Sequence, residues 1–173
     1  MSVVENGELS HTILKLVDNN MITSFTGTSQ HKLDSKNRVC IPAEFRKWGD
    51  KDDNQHTFIV THGLDTYLQI YPKPEWDNMI QELTNKLSPH NNPKHKAYIR
   101  SQTSPATTLT SDNQGRITIP QELREYAKID KNVTFIGTIN TIELWDTETY
   151  EQHPSSNLSP GDDYFQDIEE INI

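Results

Sequence analysis

The chain has 173 residues, 32% of them hydrophobic, and a formal charge of −9 at pH 7. This size and polarity fit one polar domain with modest tails, and no apolar run approaches the roughly 20 residues that cross a bilayer. The lone cysteine, Cys40, excludes a disulfide framework, and the acidic total argues against a polybasic nucleic-acid binder.

Residues 1–24 carry Glu5, Glu8 and Asp18 with no continuous apolar stretch, so they read as an extension and not as a signal peptide. A cytoplasmic location with Cys40 reduced is therefore expected. The first patterned element is Asp34-Ser35-Lys36-Asn37-Arg38. A carboxylate that opens a turn accepts backbone N–H groups two residues on, and Asn tolerates the left-handed conformation best after Gly. This predicts a tight hairpin turn with Arg38 at its exit. Val39-Cys40-Ile41 follows as strand, and Pro42, which lacks a donor and carries a helical φ, starts a short helix. Glu44 suits the N-terminus of that helix, and Phe45 with Trp48 make one apolar face.

Strands are predicted around 56–62 and 66–72. Behind Pro72 and Pro74, the residues Trp76, Met79, Ile80, Leu83 and Leu87 fall at helical spacing and predict an amphipathic helix over 74–87. Residues 88–94, Ser-Pro-His-Asn-Asn-Pro-Lys, read as a breaker-rich link.

The pattern then begins again. Asp112, Arg116, Ile119, Pro120, Glu122 and Arg124 repeat Asp34, Arg38, Ile41, Pro42, Glu44 and Arg46 at the same spacing. Gly115 stands where Asn37 stood, so both copies require positive φ there. Leu123 and Tyr126 take the places of Phe45 and Trp48 on the short helix. Thr134-Phe135-Ile136 aligns with Phe58-Ile59-Val60, and Ile142-Glu143-Leu144-Trp145 with Leu68-Gln69-Ile70-Tyr71. Strands are predicted around 132–138 and 140–145, with one helical turn over 147–150.

An internal duplication of one supersecondary unit fixes the architecture. A unit of roughly fifty to sixty residues buries too little core alone. Two copies closed about a pseudo-twofold axis are expected to make a single two-lobed domain. The expected segments are 1–24 as extension, 25–87 as first copy, 88–106 as link, 107–150 as second copy and 151–173 as acidic tail. That tail holds Glu151, Asp162, Asp163, Asp167, Glu169 and Glu170 with no Lys or Arg. Residues 31–48 hold Lys32, Lys36, Arg38, Arg46 and Lys47 against Asp34 and Glu44, so the first turn sits in positive charge.

Nothing in the sequence frames a reaction. No His or Cys pair has metal-ligand spacing, no Gly-rich phosphate loop occurs, and no nucleophile elbow surrounds a serine. No catalytic residue, metal or cofactor is expected. Trp48, Trp76 and Trp145 read as core or subunit-interface aromatics, and His31 and His62 as strand and turn residues. Asp34 with Arg38, and Asp112 with Arg116, also satisfy the simpler description of salt-bridged turns.

Phe25-Thr26-Gly27, His31 through Arg38, Ile41 through Arg46, Gly63-Leu64-Asp65, Tyr71-Pro72 with Trp76, and Asp112 through Arg116 with Ile119-Pro120 and Leu123-Arg124 together resemble the MraZ family. The resemblance implies an α+β, β-rich fold. It would be a swapped-hairpin β-barrel of the AbrB/SpoVT type, built from two tandem repeats with pseudo-twofold symmetry plus short helices. It also implies a nucleoid-associated transcriptional regulator that forms a homo-oligomeric ring. Such a regulator binds double-stranded DNA at short G-containing direct repeats ahead of the division and cell-wall gene cluster, its own gene included.

The family's Asp-x-x-x-Arg motifs carry over to Asp34 with Arg38 and to Asp112 with Arg116, with Asn37 and Gly115 shaping the turns. An Arg on a rigid turn can pair bidentately with guanine N7 and O6 in the major groove. Lys32, Lys36, Arg46, Lys47 and Arg124 are the expected phosphate contacts, which position without specifying. A ring repeats the same turn along spaced sites and gains avidity without new contacts. The alternative is a protein-interaction or antitoxin-like module of the same fold, whose acidic tail binds a protein partner.

Overall fold

A computed structural model describes residues 24–46 and 56–158. The chain is α+β and strand-rich. The first copy contributes β1 (Thr28–Lys32), β2 (Arg38–Cys40), β3 (Thr57–His62), β4 (Leu68–Pro72) and helix α1 (Lys73–Lys86). Helix α2 (Pro93–Thr103) leads to the second copy, with β5 (Thr107–Thr110), β6 (Arg116–Thr118), helix α3 (Gln121–Tyr126), β7 (Asn132–Thr138), β8 (Thr141–Asp146) and helix α4 (Thr147–Gln152). Short 3-10 turns cover Ala43–Arg46 and Pro154–Asn157. Among the described residues no helix is long and apolar enough to cross a membrane.

The strand order interlocks the two copies. Six strands form an open antiparallel sheet in the order β1-β7-β8-β4-β3-β5, and β2 pairs with β6 in a separate ladder. The opening strand of each copy therefore pairs with the hairpin of the other: β1 with β7, and β5 with β3. Exchanging the two copies reverses the sheet order and leaves it unchanged. The centre of this exchange lies where Gln69 faces Glu143 in the sheet and where Val39 faces Ile117 in the ladder.

Between ladder and sheet lies one core. Val39, Ile41, Ile117 and Ile119 pack with Phe58, Val60, Leu68, Ile70, Val133, Phe135, Ile142 and Leu144, all essentially inaccessible to water apart from small fractions. Phe45 and Leu123, equivalent residues of the two short helices, close it, and Phe45 meets Phe25 edge-on at 5.7 Å between ring centroids. Burial of side chains this large stabilises a fold by roughly 1.5–3 kcal/mol each relative to exposure.

Four features depart from the sequence reading. First, the hairpin strands of the two copies match one residue away from the alignment expected from the sequence. Val60 faces Ile70, and Phe135 faces Leu144, which makes Phe135 the counterpart of Val60 and Val133 that of Phe58. A one-residue slip turns every side chain to the opposite face, so burial decides between the two alignments. Second, the link contains an eleven-residue helix, α2. Its start is legible after the fact: Asn92 accepts the N–H groups of Lys94 and His95, and Pro93 sits at the first helical position.

Third, Tyr126 does not join the core beside Leu123. It is 36% exposed, stacks on His62 with centroids 3.5 Å apart, and donates its hydroxyl to the carbonyls of Gly63 and Asp65. Fourth, the start of the segment expected as acidic tail is built into the fold. Asp146 caps α4, and His153 contacts Ser155 and, through Nε2, the Asp65 carboxylate at 2.9 Å. Trp145 is buried, whereas Trp76 is half-buried and lies edge-on to Tyr71. Lys47, Trp48 and residues 159–173 lie outside the described residues.

Candidate nucleic-acid interface

The β2–β6 ladder is three residue pairs long, and its register decides the site. Arg38 faces Thr118, Val39 faces Ile117, and Cys40 faces Arg116. The central pair points into the core, so the flanking arginines lie on the outer face at opposite ends of the ladder. Each hairpin is closed by its own backbone bonds, Asn37 N–H to Asp34 C=O and Gly115 N–H to Asp112 C=O. Asn37 has φ 57° and Gly115 φ 76°, the left-handed region that the turn needs.

Each aspartate then organises its turn with both oxygens. Asp34 Oδ1 accepts the backbone N–H groups of Lys36 and Arg38, and Oδ2 accepts Nε of Arg38 at 2.8 Å and Nη2 at 2.7 Å. Asp112 does the same for Gln114 and Arg116, with 2.8 and 2.7 Å on the guanidinium. The hydrogen bond from the arginine side chain is the main reason that both carboxyls are pulled down to about 2. Asp112 in turn holds the Arg116 guanidinium above its ordinary value, and Asp34 of the other turn adds to this. The two turns also touch, with Arg38 Nη1 3.9 Å from Asp112 Oδ2.

A guanidinium has five N–H donors. Its aspartate holds each arginine by Nε and Nη2 and leaves the other donors free of it, on side chains 27% and 29% accessible. The result is a pair of clamped, half-exposed guanidinium forks on a rigid ladder. Their charge is compensated locally, so long-range attraction of an anion must come from other groups.

Lys32 is exposed at the end of β1, and Lys36 is exposed at the tip of the first turn. Among the described residues neither is held in an ion pair. Arg124 donates Nε–H to the Ile119 carbonyl of its own copy at 3.3 Å. Arg46 behaves differently: its side chain lies over Gly115 of the other copy. The sequence carried no signal for that contact, because the two residues meet only through the β2–β6 pairing. Lys47 falls outside the described residues.

A cleft of about 810 Å³ opens elsewhere, lined by His62, Arg100, Ser104, Glu122 and Tyr126 among others. None of the turn residues borders it. Burial holds His62 below the usual imidazole range.

Comparison with known proteins places this arrangement in one family. Residues 24–97 and 103–159 match the family described as "MraZ protein, putative antitoxin-like". A protein of Clostridium tetani called Transcriptional regulator MraZ is 39% identical over 147 residues, covering 85% of this chain and 96% of that relative. Proteins of the same name from Desulforamulus reducens and Halothermothrix orenii are 41% and 42% identical, covering 75% and 73% of this chain and 86% and 83% of theirs. Both copies of the duplicated unit, with both Asp-x-x-x-Arg turns, lie inside the matched residues, and the chain belongs to the MraZ family.

Proposed function

We propose that this protein is a sequence-specific DNA-binding transcriptional regulator whose reading heads are Arg38 and Arg116. The observation that carries the reading is the pair of clamped guanidinium forks on the outer face of the β2–β6 ladder. A fork fixed in direction before binding loses little freedom on pairing with guanine N7 and O6, and each such pair discriminates by about 1–3 kcal/mol. Lys32, Lys36, Arg46, Lys47 and Arg124 are the proposed phosphate contacts around these heads. Asp34, Asn37, Asp112 and Gly115 shape the turns that aim them. The names of the relatives support regulation of transcription as the setting.

The exchange of opening strands between copies supports a swapped-hairpin barrel of the AbrB type, in which two repeats in one chain take the part of a dimer. The target is a set of G-containing direct repeats ahead of the division and cell-wall genes, read from the cytoplasm at the nucleoid. Helix α1 keeps Trp76, Met79, Ile80 and Leu83 only half-buried, and this stripe supports self-association into a ring.

The test is binding of the purified protein to its own upstream DNA against scrambled DNA of equal length. Wild type should prefer the upstream DNA, and Arg38→Ala should lose that preference while the oligomer stays intact. Equal binding of both DNAs at low salt overturns the reading.

A further inference from the structure

We infer that Arg46, carried by the first copy, is the phosphate-holding residue of the second copy's turn. The inference rests on the DNA-binding reading above and adds a division of labour that the chain order conceals.

Three observations carry it. The first is position. A Cβ built on Gly115 would fall 2.5 Å from Arg46 Nη1, 2.7 Å from Cδ and 2.9 Å from Cζ, so the guanidinium occupies the space that glycine leaves open. The second is charge. Arg38 and Arg116 are each paired with an aspartate, whereas among the described residues no carboxylate lies in ion-pair distance of Arg46. Its Nε is buried without a hydrogen-bond partner, so an incoming phosphate would be met by the Nη groups alone. The third is a break in symmetry. The equivalent Arg124 gives its Nε–H to Ile119 C=O of its own copy, and the first turn carries Asn37, whose Cβ fills the seat that Gly115 leaves empty.

A guanidinium beside a turn, with no carboxylate in ion-pair distance among the described residues, is matched by an oxyanion, which on DNA is the backbone phosphate. The second turn needs such a group. Its own neighbourhood is neutral, with Arg116, Arg124 and Lys128 against Asp112, Glu122 and Glu125. Arg46 supplies the missing positive charge from the other copy. Arg116 then reads a base while Arg46 fixes the adjacent phosphate, and the second copy depends on the first at the surface as well as in the sheet.

The experiment is the salt dependence of binding to the upstream DNA, with scrambled DNA as the reference, for wild type, Arg46→Gln, Arg46→Lys, Gly115→Asn and Asn37→Gly. Loss of one phosphate contact makes the log–log slope shallower by roughly 0.9 for each engaged protomer. Arg46→Gln should show this loss, and Arg46→Lys should keep most of the slope. Gly115→Asn retains Arg46 but displaces it, and should lose the same increment; Asn37→Gly should not. A wild-type slope in Arg46→Gln or in Gly115→Asn, with wild type still preferring the upstream DNA, overturns the inference and leaves the DNA reading standing. No preference by wild type overturns both. Melting temperature and oligomer size are read in parallel, and if Arg46→Gln fails to fold, Gly115→Asn against Asn37→Gly is the deciding pair.

Discussion

Asn37 and Gly115 each present a carbonyl to the other copy: Asn37 C=O accepts the N–H of Ile119 at 3.0 Å, and Gly115 C=O accepts that of Ile41 at 2.9 Å. Both residues are left-handed, with φ 57° and 76°. The turns are thus joined reciprocally, and a conformational fault in one is felt in the strand of its partner.

Replacing Asn37 by Ala should therefore destabilise the fold. A left-handed backbone costs an ordinary L-residue roughly 1–2 kcal/mol, a penalty that Asn softens by local hydrogen bonding and Gly avoids. Asn37→Ala is expected to lower the melting temperature by several degrees, and Asn37→Gly to stay near wild type. Thermal unfolding of the three proteins checks this, and equal melting of Ala and Gly variants would contradict it.

Acid should loosen both turns together. Asp34 and Asp112 titrate at about 2 in the folded chain, against roughly 3.9 for an unperturbed aspartate. A depressed folded value means that the carboxylates stabilise the fold fully above about pH 4 and that this contribution is lost as pH falls toward 2. The double variant Asp34→Asn with Asp112→Asn should show a flatter stability profile over that window. An acid limb as steep as that of wild type would assign acid sensitivity to other groups.

Phe135 carries a large share of the shared core. It is fully buried, lies edge-on to His31 at 5.5 Å, and meets Phe45 of the first copy at 6.4 Å. Phe135→Ala should cost about 3–5 kcal/mol, the range for removing a buried aromatic. Because its neighbours come from both copies, denaturant unfolding should remain a single transition with a lower midpoint. Two separated transitions would show that the copies unfold independently.

The half-buried stripe on α1 gives a test of self-association. Leu83→Glu places a charge on that face while leaving the core untouched, since no α1 residue is fully buried. Light scattering should report a smaller assembly with an unchanged far-ultraviolet circular dichroism spectrum. An unchanged mass at equal concentration would move the contact to another surface.

Much of the fold was legible because the duplication repeats strong local signals. Proline at a helix start, a left-handed turn position and an Asp two residues before the N–H it receives are determined by chemistry within five or six residues. Helix α1 at Lys73–Lys86 follows from apolar spacing alone. Helix α2 was hidden for a related reason: Asn92 and Pro93 serve equally as breakers and as a helix start, and only the chain beyond them decides.

Local chemistry along the chain sets the repeated unit, its turns and the contacts of Asp34 with Arg38 and of Asp112 with Arg116, each spanning four residues. Strand pairing, the one-residue alignment that sets Phe135 opposite Leu144, and the seat of Arg46 over Gly115 emerge only when the two copies close on each other. Turn and cap energies are set by neighbours along the chain, whereas register and cross-copy contacts are set by which side chains can be buried together, and that is a property of the closed pair of copies and of neither copy alone.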